Sequence, residues 1–255
     1  MTQLIAPPVL TPATALLPTL RDQGFAVLDA AGVTALSHCP LPDLLALVPF
    51  WEDLPPDQFL KDGGRYRRRR HSCFELNGND LRMVPHRAHW QPLAYNALHG
   101  GMHRLFEPIA PAMLAAPAWG LLLRWLGQVA SALRGHQPWF VEAHPFRIDT
   151  TDGIGRPTPE GAHRDGVDLV AVFLVGRHGI KGGETRVFDA DGPAGQRFTL
   201  TQPWSLLLLD DARVIHESTP IQPQDAGAPL ACRDTLVITL RARGFQGHDA
   251  LGASD

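Results

Sequence analysis

The residues of this chain best suited to chemistry are a histidine and an aspartate two positions apart, His163 and Asp165. On an extended segment, side chains at positions i and i+2 point to the same side, so an imidazole nitrogen and a carboxylate oxygen can reach one metal ion. His216 follows a long apolar run, and the intervening strands would return it beside the first pair. The spacing predicts a metal site with three protein ligands. A lone His-x-Asp pair is common by chance, so surface or capping roles are the alternative.

An arginine downstream of His216 indicates what such a metal would work with. Two histidines and one carboxylate form the facial triad of non-haem iron oxygenases, which leaves coordination positions open. Arg233 opens the last predicted strand, and its guanidinium can hold a carboxylate through two hydrogen bonds. The distal carboxylate of 2-oxoglutarate requires such a partner. The alternative is that Arg233 pairs with Asp234 or Asp210 at a sheet edge.

The elements that must position these residues change in character along the chain. Apolar patterns typical of helices occur at 16–22, 41–48 and 95–133, with a break expected near Pro117. Short runs rich in apolar residues predict strands at 24–28, 139–148, 169–175, 185–188, 197–200, 205–209 and 233–240, and a basic run at 65–71 also resembles a strand. Many short strands with turns between them favour a sandwich or a barrel.

The composition limits the classes of protein to which this chain can belong. Its 255 residues suit one large domain, and its 44% apolar and 19% charged residues exclude a disordered chain. The 24 glycines and 23 prolines favour short elements over a long-helix bundle. A net charge of −3 gives no overall attraction to nucleic acid or anionic membranes. Three cysteines without a CxxC pair, and no signal-like or membrane-spanning segment, predict a cytoplasmic protein without a disulfide framework.

Taken together, the motifs resemble a known family. The segments similar to Fe(II)/2-oxoglutarate-dependent dioxygenases, typified by bacterial L-isoleucine hydroxylases, are 157–166 (PTPEGAHRDG), 182–184 (GGE), 214–220 (VIHESTP) and 233–239 (RDTLVIT). The clear similarity spans residues 140–243, and weaker matches lie at 67–69 and 144–147. The Glu160-Gly161 pair departs from the isoleucine hydroxylases, so the substrate side of the pocket is expected to differ.

This resemblance implies a fold, cofactors and a reaction. The implied fold is α+β, with a double-stranded β-helix (jelly-roll, cupin-like) core at 137–245, an integral N-terminal part with helices at 1–136 and a tail at 246–255. Iron would be bound by His163, Asp165 and His216, and 2-oxoglutarate by Arg233. The implied cofactors are Fe(II), 2-oxoglutarate and O2, with ascorbate as the reductant in vitro. The implied reaction is hydroxylation of an aliphatic carbon of a free L-amino acid or related small molecule, with release of succinate and CO2.

Five further residues are candidates for ligand binding. If 65–71 is a strand, Arg67 and Arg69 share a face that can line a pocket and bind a carboxylate, and a solvated face is the alternative. Arg147 lies between apolar residues and needs a partner, either a substrate carboxylate or a buried acid. Glu160 can accept a substrate ammonium group or cap a turn. Thr239 can donate a hydroxyl to 2-oxoglutarate or serve the structure alone.

Two other functions stay open from the sequence. The arginine run at 65–70 would suit an oxygenase acting on protein or nucleic acid, which salt-sensitive oligonucleotide binding would support. A cupin-like metal-binding sensor without turnover is the alternative outside enzymes. We expect a small-molecule substrate and no nucleic-acid or membrane partner, and we leave desaturation and a homodimer open. Histidines without triad context, among them His89, are interpreted as surface or core residues.

Overall fold

The structure is a computed structural model that describes residues 6–225 and 231–247. Its helices are α1 (Leu16–Gln23), α2 (Ala30–Ser37), α3 (Leu41–Leu45), α4 (Pro111–Leu114) and α5 (Pro117–Arg134), with 3-10 turns at Ala13–Ala15 and Val48–Trp51. The strands are β1 (Phe25–Leu28), β2 (Arg67–Arg69), β3 (Ser72–Asn77), β4 (Asp80–Met83), β5 (Trp139–Asp149), β6 (Leu169–His178), β7 (Ile180–Gly182), β8 (Thr185–Asp189), β9 (Gly195–Phe198), β10 (Leu206–Asp210), β11 (Val214–Ser218), β12 (Ile221–Pro223) and β13 (Cys232–Arg241).

The strands form one large antiparallel sheet and two small ones. The large sheet has the order β1-β10-β6-β13-β5-β3-β4, and β2 pairs with β5 outside this path. The small sheets are β11-β8-β9 and β12-β7. The chain is therefore mostly antiparallel sheet with few helices, as the strand predictions required. The long strand β13 pairs with β5 on one side and with β6 on the other, and this pairing positions the residues of the pocket described below.

Strand alternation divides the core into two layers. Along β10, Leu206 and Leu208 pack in the core beneath the helices, whereas Leu207 and Leu209 pack toward the three-stranded sheet. The helical layer is dominated by α5, which has Pro117 in its first turn and ends at Gly135, whose φ of 89° is in the glycine-favoured region. The helices therefore cover one face of the large sheet, and its other face is free to build a site.

One predicted helix is wrong. The sequence pattern at 95–133 predicts two helices, but residues 95–110 form turns and extended segments, and α4 has only four residues. A Cβ atom on Gly100 would lie 2.7 Å from the Cα atom of Leu93, which shows how tightly the chain turns there. Pro108 and Pro111 also lack the N–H that a helix interior requires. The predicted helix at 41–48 is shorter too, since α3 ends at Leu45.

Residues before 137 supply four strands of the large sheet: β1 at one edge, and β2, β3 and β4 on the side of β5. Of the predicted tail at 246–255, Gln246 and Gly247 are described and 248–255 lie outside the described residues. Within the described ranges, no single helix is long and apolar enough to cross a membrane. Only Ala30–Ser37 and Leu41–Trp51 taken together reach that length and composition, with a bend of 109° between them.

Candidate active site

A pocket of about 1100 Å³, mouth included, lies on the face of the large sheet opposite the helices. Every second residue of two neighbouring strands lines it: Phe140, Glu142, His144, Phe146 and Ile148 from β5, and Arg233, Thr235, Val237, Thr239 and Arg241 from β13. This spacing follows from the two-residue period of a strand. The residues between them, such as Val141 and Leu236, pack into the helical core instead.

His163, Asp165 and His216, here called the His163 triad, meet at the wall of this pocket. The Nε2 atom of His163 lies 3.8 Å from one carboxylate oxygen of Asp165, and the Nε2 atom of His216 lies 3.9 Å from the other. One ligand atom from each residue falls within 4.8 Å of the other two. The side chains are only 11%, 17% and 11% exposed in that order. Two imidazoles and one carboxylate at these distances can hold one divalent ion between them.

The triad converges for a different reason than strand alternation. His163 lies in a loop, and it forms an isolated antiparallel bridge with His216 through reciprocal N–H···O bonds of 3.0 and 2.9 Å. The buried carboxylate of Asp211 accepts the backbone N–H groups of Asp165, Gly166 and the next residue at 3.0, 2.7 and 3.0 Å. The loop is therefore held by β11 on one side and by Asp211 on the other.

Hydrogen bonding leaves the inner nitrogen of His163 free for a metal. The Nδ1 atom of His163 lies 3.0 Å from the carbonyl oxygen of Gly161, so Nδ1 carries the hydrogen and Nε2 the lone pair. Burial by itself would lower the pKa of His163, but the carboxylates of Asp165 and Glu160 outweigh it and raise the pKa. Burial and the neighbouring His163 lower the pKa of His216 to about 4, so His216 is neutral at pH 7.

Gln91 holds the carboxylate of Asp165 in place. Its Nε2 atom donates to Asp165 at 3.1 Å. Its own amide oxygen accepts from Arg104 at 2.9 Å and from Asn96 at 3.2 Å, and these two bonds fix which end of the amide faces Asp165. Gln246 adds a hydrogen bond of 2.7 Å to the backbone carbonyl of Asp165. The sequence analysis missed Gln91, because it lies outside every predicted helix and strand and nothing indicated where its side chain points.

Arg233 is a buried cation without an acidic partner. It is 5% exposed and lines the pocket. Across residues 6–225 and 231–247, no carboxylate lies within 4.0 Å of its guanidinium; Asp234 pairs with Arg147, and Asp210 pairs with Arg134. Burial and the nearby Arg177 lower the pKa of Arg233 to about 10, which leaves it charged at pH 7. Because a buried charge needs a counter-charge, Arg233 is suited to an anionic ligand. This result excludes the alternative that Arg233 pairs with Asp234 or Asp210 at a sheet edge.

Comparison with known proteins decides the family. The family model described as 2OG-Fe dioxygenase matches residues 48–239. This chain belongs to the 2OG-Fe dioxygenase family. It is accordingly an Fe(II)- and 2-oxoglutarate-dependent oxygenase that uses O2. A search of curated proteins gave no significant match.

Solved structures agree with this assignment. A bsmA homolog from Methylobium petroleophilum PM1 is 56% identical, with 94% of this chain and 97% of that chain covered and a TM-score of 0.89. IDO from Bacillus thuringiensis is 16% identical, with 92% and 98% covered and a TM-score of 0.73. The Fe(II)/(alpha)ketoglutarate-dependent dioxygenase TqaL is 20% identical, with 92% and 88% covered and a TM-score of 0.70. The last two share the fold with this dioxygenase.

The dioxygenase does not use Arg147 as predicted. Arg147 lies between Phe146 and Ile148, which both line the pocket. Because side chains alternate along a strand, Arg147 lies on the opposite face of β5. Its guanidinium donates to both carboxylate oxygens of Asp234 at 2.8 Å and to Glu52 at 2.8 and 3.1 Å. These hydrogen bonds, that with Asp234 foremost, raise the pKa of Arg147. The prediction that Arg147 binds a substrate carboxylate is wrong, and the buried-acid alternative describes it.

Two arginines of the basic run face into the dioxygenase pocket. Arg67 lines the pocket and donates to Asp57 at 2.7 Å. Arg69 also lines it, with its guanidinium carbon 3.9 Å from the ring centroid of Phe106 and 4.2 Å from that of Phe146. Only Arg67–Arg69 of the predicted strand at 65–71 is a strand.

The other three arginines of the run pair with acids. Arg65 pairs with Asp152 at 2.7 Å, and Arg70 with Glu107 at 2.8 Å. Arg68 lies 3.5 Å from Asp149. A nucleic-acid groove would need these charges to be available for phosphates, whereas each already has a carboxylate partner.

Glu160 and Thr239 lie where a ligand can reach them. Glu160 lines the pocket with one oxygen 3.6 Å from Nδ1 of His163, and its other oxygen is buried without a hydrogen-bond partner among the described residues. Thr239 is on the same face of β13 as Arg233 and is 8% exposed. Both residues are therefore in the pocket, where their proposed partners would bind.

A second histidine group, absent from the sequence prediction, lies along the same wall. His71, His89, Glu142 and His144, here called the Glu142 cluster, are all buried, and one ligand atom from each falls within 4.8 Å of the others. Glu142 and His144 carried a usable signal, because two polar residues alternate within an apolar predicted strand. No sequence signal indicated His89, because it belongs to a turn-rich segment outside the predicted strands.

Proposed function

We propose that this dioxygenase hydroxylates an aliphatic carbon of a free L-amino acid or a related small molecule, releasing succinate and CO2. The observation that carries the proposal is that the His163 triad and the unpaired Arg233 open into one pocket. The sheet containing β5 and β13 and the sheet containing β11 are interpreted as the two halves of a double-stranded β-helix, with the site between them. Free, buried cysteines at 39, 73 and 232 agree with the reducing cytoplasm expected from the sequence.

In this proposal His163, Asp165 and His216 bind Fe(II). The donor set suits that ion, and the inner nitrogens of both histidines are free to bind it. When bound, the iron, 2-oxoglutarate and O2 together supply the oxidation that converts 2-oxoglutarate to succinate and CO2 and places one oxygen atom on the substrate carbon. Gln91 and Asp211 keep the carboxylate of Asp165 and its loop in the binding geometry, so that little reorganisation is needed.

Arg233 binds the distal carboxylate of 2-oxoglutarate in this scheme, and Thr239 adds a hydroxyl on the same face of β13. A guanidinium that is already buried and unpaired gains a counter-charge, which favours binding of an anion over a neutral molecule. The apolar side chains of Val172, Val237 and Phe140 line the same pocket and exclude water from the reacting carbon.

The substrate side of the proposed site includes Arg67, Arg69 and Glu160. Glu160 is assigned to a substrate ammonium group, because its second oxygen is buried and has no hydrogen-bond partner within the described ranges. Arg67 and Arg69 provide positive charge for a carboxylate. A small zwitterion matches this pairing of charges better than a macromolecule, whose docking would need the paired arginines at 65, 68 and 70.

The test is succinate release with Fe(II), ascorbate and 2-oxoglutarate under air, across a panel of L-amino acids. We expect at least one amino acid to stimulate succinate release and to gain the mass of one oxygen atom. His163→Ala is expected to abolish both signals, and His136→Ala, which changes an exposed histidine outside the pocket, is the matched control. Succinate release that needs His163 but responds to no amino acid would contradict the substrate class. An iron-loaded protein that makes no succinate would instead indicate a metal-binding sensor.

A further inference from the structure

Three arginines at one end of the pocket have too few acids to balance them. Arg67 lies 2.7 Å from Asp57, and Arg69 lies 4.0 Å from the same carboxylate oxygen. Arg104 is 2% exposed, and no carboxylate of residues 6–225 and 231–247 lies within 4.0 Å of its guanidinium. Among the described residues, Asp57 is thus the one carboxylate within 4.0 Å of any of these three guanidinium groups, and this end of the pocket carries an excess of buried positive charge.

A second acid near this end, Glu142, does not correct this excess, and Glu160, a further acid that acts on Arg104, lies on the triad side of the pocket. Glu142 lines the pocket, but one of its oxygens is 2.7 Å from Nδ1 of His89, and burial raises its pKa and favours its neutral form. Burial lowers the pKa of Arg104 to about 10 and also lowers the pKa of Arg69. Burying these two guanidinium groups without a close carboxylate carries an energetic cost that an anionic ligand would remove.

The two guanidinium groups are held in position before any ligand arrives. Arg69 stacks between Phe106 and Phe146, and the guanidinium carbon of Arg104 lies 5.9 Å from the ring centroid of Phe106. Arg104 also donates to Gln91 at 2.9 Å. Because their side chains are already ordered, little conformational entropy is lost on binding.

This end of the pocket is separate from Arg233. Arg67 on β2 and Arg233 on β13 both pair in register with Ile148 of β5, from its two sides. Strands are spaced about 4.8 Å apart, so two spacings put the backbones of β2 and β13 about 10 Å apart. The pocket therefore offers two anion positions on opposite sides of β5.

We propose that Arg104 and Arg69 bind the α-carboxylate of the substrate, so that the dioxygenase requires a free carboxylate and rejects carboxamides and peptide-linked residues. This inference rests on the proposed function and names the group by which that site recognises an amino acid. A carboxamide has no charge to offer, and it would leave both buried guanidinium groups without a counter-charge. Glu160, on the triad side of the pocket, takes the ammonium group.

The first experiment needs only the wild-type protein. Each L-amino acid of the panel is compared with its own α-carboxamide, by stimulated succinate release and by anaerobic calorimetric titration in the presence of Fe(II) and 2-oxoglutarate. We expect an amino acid that binds to lose about 100-fold in affinity as its carboxamide, the usual scale for removing one partner of a buried charge pair. Equal binding of acid and carboxamide overturns the inference while leaving amino-acid hydroxylation intact.

The second experiment tests the residue. Arg104→Met keeps the length and apolar stem of the side chain without the charge. We expect it to weaken binding of the amino acid about 100-fold, and at least about tenfold more than binding of 2-oxoglutarate. Arg68→Met, which changes an arginine of the basic run that lies outside the pocket, is the control and should leave both affinities unchanged.

The remaining outcomes separate the two proposals. If Arg104→Met weakens 2-oxoglutarate as much as the amino acid, Arg104 belongs to the cosubstrate and the inference is wrong. If neither acids nor carboxamides bind to or stimulate the wild-type enzyme, the free-amino-acid function itself fails, and the carboxylate assignment fails with it. If the variant does not fold, the comparison of acid and carboxamide on the wild-type protein still decides.

Discussion

Two histidine-carboxylate groups share one pocket, and only the His163 triad is prepared for a metal. By spacing the triad and the Glu142 cluster are alike, since each combines histidines with one carboxylate and brings its ligand atoms within 4.8 Å of one another. They differ in how the carboxylate is used. Asp165 accepts a hydrogen bond from Gln91, and both triad histidines stay at least 3.8 Å away from it. One carboxylate oxygen of Glu142 instead lies 2.7 Å from Nδ1 of His89. That distance is a hydrogen bond and leaves no room for a metal ion between the two atoms.

The position of protons explains the rest of the difference. In the Glu142 cluster, Arg69 donates to Nδ1 of His144 at 2.6 Å. A guanidinium cannot accept, so Nδ1 has the lone pair and the hydrogen is on Nε2, the nitrogen that lies 3.8 Å from Glu142. A protonated nitrogen cannot ligate a metal. Arg69 and Arg104 also repel a dication there. The comparison teaches that hydrogen-bond direction and local charge, not ligand types alone, decide which group binds a metal.

The largest expected effect is on iron binding. His163→Ala should lose bound iron and about 1000-fold or more of succinate release, because a metal ion contributes several kcal/mol to such chemistry. His89→Ala should keep one iron per chain. Elemental analysis of both variants beside the wild type measures this. Two irons in the wild type, one of them lost in His89→Ala, would make the Glu142 cluster a metal site.

A smaller effect is expected on the binding of 2-oxoglutarate by Arg233. Arg233→Met should raise the KM for 2-oxoglutarate about 100-fold while iron stays bound, because one buried charge pair is lost. The matched control is Arg186→Met, at a half-exposed arginine of β8. Steady-state kinetics and iron content together check it. An unchanged KM would remove Arg233 from the cosubstrate site.

Gln91→Ala should reduce iron affinity about 10- to 100-fold, the usual range for a residue that orients a metal ligand. Gln91→Glu should not rescue it, because a carboxylate cannot donate to Asp165. Iron affinity is followed by titration, and the melting temperature reports on the fold. If both variants bind iron as the wild type does, the hydrogen bond from Gln91 is not needed to orient Asp165.

The smallest effect concerns the pH dependence of stability at Glu142. Burial raises its pKa in the folded protein above the unfolded value. The stability contributed by the neutral acid is therefore present below the unfolded pKa and is lost as the pH rises through the folded pKa. Glu142→Gln cannot ionise, so its free energy of unfolding relative to wild type should increase from pH 5 to pH 8. Urea denaturation at both pH values measures it. A relative decrease would mean that Glu142 is ionised and paired, as in a metal site.

The amino-acid sequence by itself determined the strands and the main chemical residues. Apolar runs at 139–148, 169–175, 205–209 and 233–240 became β5, β6, β10 and β13, because a strand's two-residue period and apolar content are local properties. His163, Asp165, His216 and Arg233 were predicted from residue type and order along the chain. The same period would also have placed Arg147 on the face opposite His144.

Only the tertiary structure decided which of these residues meet. His163 reaches His216 through a bridge between a loop and a strand, and Asp211, directly after strand β10, holds that loop. Gln91 and Arg104 enter the pocket from a turn-rich segment that the sequence pattern had wrongly predicted as partly helical. Contacts of this kind join residues far apart in the chain, and they depend on sheet pairing and on where hydrogens and charges are balanced. Local sequence patterns do not predict these long-range contacts, so only the fold shows which partner each charged residue has.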